Sequence, residues 1–147
     1  MLTTDGPSVL EFNCRLGDPE AQVLIPLLDS DLITIAQACV AGRLAEIDVR
    51  WKAGAAACVV LAAHGYPGKY VRGHKISGLI DLPENAIIFQ AGTMITGEKV
   101  LTNGGRVLGV TGWATTSSAA LETAYTAIEH VSFEGMHYRR DIGRRSS

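Results

Sequence analysis

Residues 11–20 read Glu-Phe-Asn-Cys-Arg-Leu-Gly-Asp-Pro-Glu, and this stretch decides how the rest of the chain is read. The apolar pair Val9-Leu10 leads into Glu11-x-Asn13, and a tight Arg-x-Gly-Asp-Pro turn follows at once. The pattern predicts a strand over Val9 to Asn13, on which Glu11 and Asn13 stand two residues apart and share one face. A carboxylate and an amide oxygen on one face form a hard, oxygen-rich surface, suited to Mg²⁺ when phosphates complete its shell. The same pair also fits a solvated strand edge, and taken alone that is the better reading. After the turn, Asp18 fits the cap of a helix with Pro19 at its first position and Glu20 in its first turn.

Working outward, the chain of 147 residues is long enough to bury one moderate core. With 47% hydrophobic and 19% charged residues it has the composition of a soluble globular protein. A net charge of −2 gives no reason to expect a nucleic-acid or membrane-surface partner. The pairs Arg139-Arg140 and Arg144-Arg145 are a local exception, the latter reading as a solvated basic tail. The longest apolar run, Ala55 to Ala63, is too short to span a bilayer. No basic segment followed by an apolar one opens the chain, so no signal peptide is expected. The three cysteines are an odd number without metal-ligand spacing. Cys39 and Cys58 sit in apolar stretches and are expected in the core as reduced thiols, which points to the cytoplasm.

The chain divides near residue 50. Before it, Val23, Leu24, Leu27 and Leu28 have helical spacing, with Pro26 shortening or bending the helix. A second helix is capped by Ser30 or Asp31, carries Leu32, Ile35, Ala36 and Cys39 on its apolar face, and ends at Gly42. Leu44 to Ile47 adds a short turn. Beyond Trp51, residues 56–63 predict a buried strand, and His64-Gly65-Tyr66-Pro67-Gly68 has turn chemistry that would close a hairpin or border a cleft. Residues 87–90, 94–95, 99–102 and 106–112 predict short strands, with Gly97-Glu98 and Asn103-Gly104-Gly105 as hairpin signals. Thr116 to Ser118 cap a helix running to about Val131, with Ala120, Ala124, Tyr125 and Ile128 inward. A last short strand is expected near Met136 to Tyr138. The fold class is therefore α+β, with a mostly antiparallel second half.

Six ordered segments carry a family resemblance. The opening motif resembles the metal-binding end of an ATP-grasp domain. Gly65-Tyr66-Pro67-Gly68, Gly73-x-x-Ile76-x-Gly78, Ala91-Gly92-Thr93, Gly104-Gly105-Arg106-Val107-Leu108 and Tyr138-Arg139-Arg140-Asp141-Ile142-Gly143 resemble the C-terminal domain of the phosphoribosylamine–glycine ligases. The resemblance implies residues 1–50 as the end of an ATP-grasp domain and 51–147 as the ligase C-terminal domain. It implies a cytoplasmic enzyme of purine biosynthesis that joins glycine to 5-phosphoribosylamine through a glycyl-phosphate, with ATP as co-substrate and Mg²⁺ or Mn²⁺ as the metal. Arg15-x-Gly17-Asp18-Pro19-Glu20 and the closing Tyr-Arg-Arg-Asp argue against other ATP-grasp enzymes, such as biotin-dependent carboxylases.

Site residues follow from the same resemblance. Glu11 and Asn13 hold the metal that bridges the ATP phosphates. Arg15 is the catalytic candidate, its guanidinium meeting the carboxylate of glycine or the acyl-phosphate. A salt bridge to Asp18 or Glu20 is its equally good structural reading. Gly17 and Asp18 stand among the substrate-binding residues, with Asp18 read first as a helix cap. Arg139 and Arg140 are the candidates for the substrate 5′-phosphate. One is expected in the cleft and the other beside Asp141, and the resemblance favours Arg139 for the cleft. His64, His74, His130 and His137 receive no role, and Thr115 to Ser118 read as helix-start chemistry.

The chain shows no Gly-rich loop followed by a phosphate-reaching lysine, and Gly104-Gly105-Arg106 lacks the Gly-Lys-Ser/Thr of a P-loop. Met1-Leu2-Thr3 matches an internal stretch of the family, so the chain is expected to be a piece whose partner is the missing N-terminal portion. An unpaired opening strand would favour self-association. A stand-alone binding or assembly module that kept the fold and lost the chemistry is the alternative.

Overall fold

The computed structural model describes residues 1–143, so Arg144 and Arg145 lie outside the described residues. Its elements in chain order are β1 (Leu2–Thr3), β2 (Gly6–Pro7), α1 (Ala21–Leu27), α2 (Leu32–Val40), a 3-10 turn at Leu44–Glu46, β3 (Ala55–Ala62), β4 (Ala86–Gln90), β5 (Thr93–Thr96), β6 (Lys99–Thr102), β7 (Arg106–Ala114) and α3 (Ser117–Glu129). The α+β class is borne out.

The centre is an antiparallel sheet of order β3-β7-β4. Strand β7 takes the middle because its residues 107–112 are buried throughout, as a strand covered on both faces requires. Its two glycines show what covers each face. Gly109 and Gly112 are three residues apart and so face opposite sides. A Cβ on Gly112 would lie 2.5 Å from the Ala120 carbonyl oxygen and the Ala124 nitrogen of α3. A Cβ on Gly109 would instead meet Cys58 Sγ and Gln22 of α1. Helices α1 and α3 thus sandwich the sheet. Val59, Leu61, Leu108, Val110, Ala124, Ala127 and Ile128 form the heart of the core.

The start of α3 is set by Thr116, whose hydroxyl accepts from the Ala119 amide at 3.2 Å. Helix α2 starts as expected at Asp31, which accepts from the Thr34 amide at 2.7 Å. This hydrogen bond holds the Asp31 carboxyl below its ordinary value.

Six expectations are corrected. Residues 9–13 form no strand, because among the described residues no neighbouring chain offers them a ladder. Asp18 does not cap α1, which begins at Ala21 with no side-chain cap, because its carboxylate is engaged elsewhere. Cys39 is exposed, since none of α2 is buried. The Asn103-Gly104-Gly105 turn joins strands of different sheets rather than a hairpin, and its Asn103 amide donates to Gly92. The loop after β3 likewise closes no hairpin, since β3 pairs with β7. The expected final strand is one bridge, Ala62 to His137, because the chain turns immediately before it, where Met136 N donates to the Phe133 carbonyl.

Candidate functional site

The sheet is antiparallel, so the end of β3, the end of β4 and the start of β7 lie at one edge of the core. Three of the signature segments meet there. The amide of Ala63 donates to the Gly105 carbonyl at 2.8 Å, and that of Gly92 donates to the Arg106 carbonyl at 2.9 Å. Gly92 and Gly104 touch backbone to backbone, since a Cβ on Gly104 would stand 2.8 Å from the Gly92 Cα. A Cβ on Gly105 would run into the Tyr66 ring. These glycines are used for close approach of protein to protein.

The opening turn reaches this edge through Asp18. Arg106 Nη2 donates to Asp18 Oδ2 at 3.0 Å, and Arg106 Nη1 donates to the Asp18 carbonyl at 3.1 Å. Asp18 Oδ1 accepts from Gln22 Nε2 at 2.9 Å, so both carboxylate oxygens are occupied. Glu20 Oε2 accepts from the Gly17 amide at 2.8 Å. These two acids and Gly17 build the turn.

Glu11, Asn13 and Arg15 are exposed. Arg15 Nη1 donates to the Leu16 carbonyl at 3.2 Å, and among the described residues no carboxylate stands within ion-pair distance of it. The structural reading of Arg15 as a partner of Asp18 or Glu20 is therefore not realised; Asp18 has taken Arg106 instead. Among the described residues the Glu11 and Asn13 side chains make no hydrogen bond, which leaves their oxygens available to a ligand. No group of three or more His, Cys, Asp or Glu gathers around a metal-sized space among the described residues. A carboxylate and an amide oxygen without a third protein acid fit Mg²⁺ that keeps waters and takes phosphate oxygens as its remaining ligands.

Arg139 and Arg140 are held on the other face, beside α3. Tyr125 OH donates to the Arg139 carbonyl at 2.9 Å. Arg139 Nε and Nη2 donate to the two oxygens of Asp141 at 2.9 and 2.8 Å, a bidentate pair that raises the guanidinium's already high pKa. Arg140 lies over the Tyr138 ring, 5.3 Å from its centroid, and lines a cavity with Glu122, Tyr125, Thr126 and Glu129. The partner of Asp141 is thus Arg139, the reverse of the expected division between the two arginines. No hydrogen bond or ion pair among the described residues joins this pair to Arg15 or Asp18.

Sequence reasoning gave Arg106 no role, although it ends the Gly-Gly-Arg segment directly opposite a strand end. It also gave none to His74, whose Nδ1 lies 3.1 Å from Glu134 Oε2.

The family model "Phosphoribosylglycinamide synthetase, C domain" matches residues 56–145. The chain belongs to this family. Among curated relatives of the family, the phosphoribosylamine–glycine ligase of Synechocystis is 49% identical over 140 residues, which is 94% of this chain and 33% of that protein. The trifunctional purine biosynthetic protein adenosine-3 of Gallus gallus is 47% identical over 99% of this chain and 15% of its own length. A solved phosphoribosylamine–glycine ligase from Thermotoga maritima superposes with a TM-score of 0.74 at 40% identity, covering 96% of this chain and 34% of that one. The chain therefore spans about a third of the length of its single-function relatives. No helix among the described residues is long and apolar enough to cross a membrane.

Proposed function

We propose that the chain is the C-terminal portion of an ATP- and Mg²⁺-dependent carbon–nitrogen ligase of the cytoplasm, joining glycine to 5-phosphoribosylamine to give glycinamide ribonucleotide. The observation that carries the reading is the extent of the likeness. It runs through the opening motif as well as the C domain, covering 94% of the chain in the Synechocystis relative. Residues 1–50 are then the end of the ATP-grasp domain and 51–147 the C-terminal domain.

Glu11 and Asn13 are the residues that would hold Mg²⁺ or Mn²⁺, whose positive charge would offset the negative charge on the transferring phosphoryl group. Arg15, exposed and without a carboxylate partner, is free to meet the glycine carboxylate or the acyl-phosphate. Arg139 and Arg140 supply guanidinium groups for the 5′-phosphate, with Asp141 orienting Arg139. The partner is the front portion of the enzyme, which covers the apolar side chains that residues 1–50 expose, among them Val9, Leu10, Phe12 and Ile33. Without it, those side chains favour self-association.

The test uses two proteins. The purified 147-residue chain is expected neither to bind ATP tightly nor to ligate. A chimera in which the chain replaces the matching third of the Synechocystis enzyme is expected to make glycinamide ribonucleotide. Ligation by the chain alone, or a folded chimera without ligation beside an active Synechocystis parent, would overturn the reading.

A further inference from the structure

We propose that Arg106 is a positioning residue: anchored in β7, it grips the Asp18 turn and thereby aims the segment that bears Glu11, Asn13 and Arg15. This rests on the functional reading above and extends it to a residue on the C domain.

Few other polar contacts fix that segment, although Leu16 lines an apolar cavity with residues of α1 and α2. Among the described residues, the hydrogen bonds made by residues 1–17, backbone and side chain together, reach no further than seven positions along the chain. Asp18 is the first residue tied to the sheet, and Arg106 is the group that ties it. The grip is more than an ion pair. One guanidinium holds both the side chain and the backbone carbonyl of the same residue, so it fixes the orientation of the peptide as well as the position of the charge. A bare surface pair with this exposure, 42% and 57%, contributes little to stability. Its consequence is therefore geometric.

Both ends of the grip are rigid. Arg106 starts the central strand, and its carbonyl accepts from Gly92 within the glycine-packed turns. On the other side, Asp18 binds Gln22, whose carbonyl accepts from the buried Thr111 hydroxyl at 3.0 Å. Asp18 and α1 are thus bolted to β7 at two points. Lysine in place of Arg106 would offer one flexible ammonium where the fork addresses two acceptors.

Two measurements separate the grip from its use. In the 147-residue chain, amide exchange over residues 17–22 is expected to quicken at least tenfold in Arg106→Ala. Arg106→Lys should fall between, and exchange in β3, β7 and α3 should stay unchanged. In the chimera, Arg106→Ala is expected to lower kcat by about ten- to a hundredfold, the scale set by small misplacements of reacting groups. It should also raise the Mg²⁺ concentration at half-maximal rate. Arg106→Lys should restore part of both effects, and the exchanged pair Asp18→Arg with Arg106→Asp should restore more than either single change retains. Unchanged exchange over residues 17–22 overturns the grip. Altered exchange with unchanged kcat and Mg²⁺ dependence in an active chimera overturns the positioning role alone. An unaltered chimera without ligation removes the functional reading and the positioning role together, while exchange still reports the grip.

Discussion

Gly112→Ala asks how closely α3 lies on the central sheet. The added methyl would sit 2.5 Å from the Ala120 carbonyl oxygen and the Ala124 nitrogen, and 2.9 Å from the Thr123 Cβ. Two of these three atoms are helix backbone, so no side chain can swing aside and α3 itself must move. Forcing a methylene-sized group into a packed core costs about 1–3 kcal/mol. The same substitution reduces the freedom of the unfolded chain, which returns roughly 0.4–1 kcal/mol. Gly109→Ala is the internal control, because it lies on the same strand and neither glycine has a positive φ. Its methyl would meet Cys58 Sγ at 3.2 Å, the end of a side chain that can shift by a few tenths of an ångström. Urea unfolding followed by circular dichroism should therefore place Gly112→Ala about 1–3 kcal/mol below Gly109→Ala with an unchanged m-value. Equal midpoints for the two variants would refute the backbone contact between α3 and the sheet.

In the chimera, Glu11→Gln should lower kcat and weaken the Mg²⁺ dependence while leaving the thermal midpoint in place; an unchanged rate and metal dependence would show that Glu11 is no ligand. Arg139→Ala should raise the KM for phosphoribosylamine several-fold and leave those for ATP and glycine near normal, with Asp141→Asn giving a smaller rise in the same constant; three unmoved KM values would remove Arg139 as the phosphate anchor. Burial pushes the Cys58 thiol pKa up, opposed by its hydrogen bond to Thr111 and aided by the Asp18 carboxylate. A raised folded-state pKa contributes stability at pH values below the ordinary 9.0 and loses it as pH climbs through the higher folded value. Titration with a thiol reagent should thus find Cys14 and Cys39 reactive, Cys58 slow, and Cys58 reactivity rising together with alkaline destabilisation.

Much of the second half of the chain was legible because those signals are local. The unbroken apolar run at residues 55–62 became a strand paired with β7, and Gly97 became the turn of the β5–β6 hairpin. Thr116 and Asp31 cap helices because a hydroxyl or carboxylate three residues before a helix amide needs no distant partner. The opening was misread where a distant partner decides. Asp18 has the local chemistry of a cap, but a guanidinium 88 positions away holds its carboxylate instead. Residues 9–13 alternate like a strand, yet a strand exists only where another chain completes its ladder. The same limit hid Arg106, whose role lies in what it reaches. The Asp141 pairing was foreseen in kind and misassigned between neighbours, since the expected last strand is a single bridge and strand alternation does not extend to Arg139 and Arg140.

The strand order has a consequence for how this domain is made. β7 stands between β3 and β4 but leaves the ribosome after both. Until residues 106–114 emerge, β3 and β4 have no ladder, because each pairs with β7 and not with the other. Ala55 must wait for Ala114, and closing so long a loop is a slow step that local helices do not share. During that interval the apolar run of β3 is an open template for aggregation. A chain ending before residue 106 could still form the local β5–β6 hairpin but would leave β3 and β4 unpaired, so the central sheet is all-or-none with respect to β7.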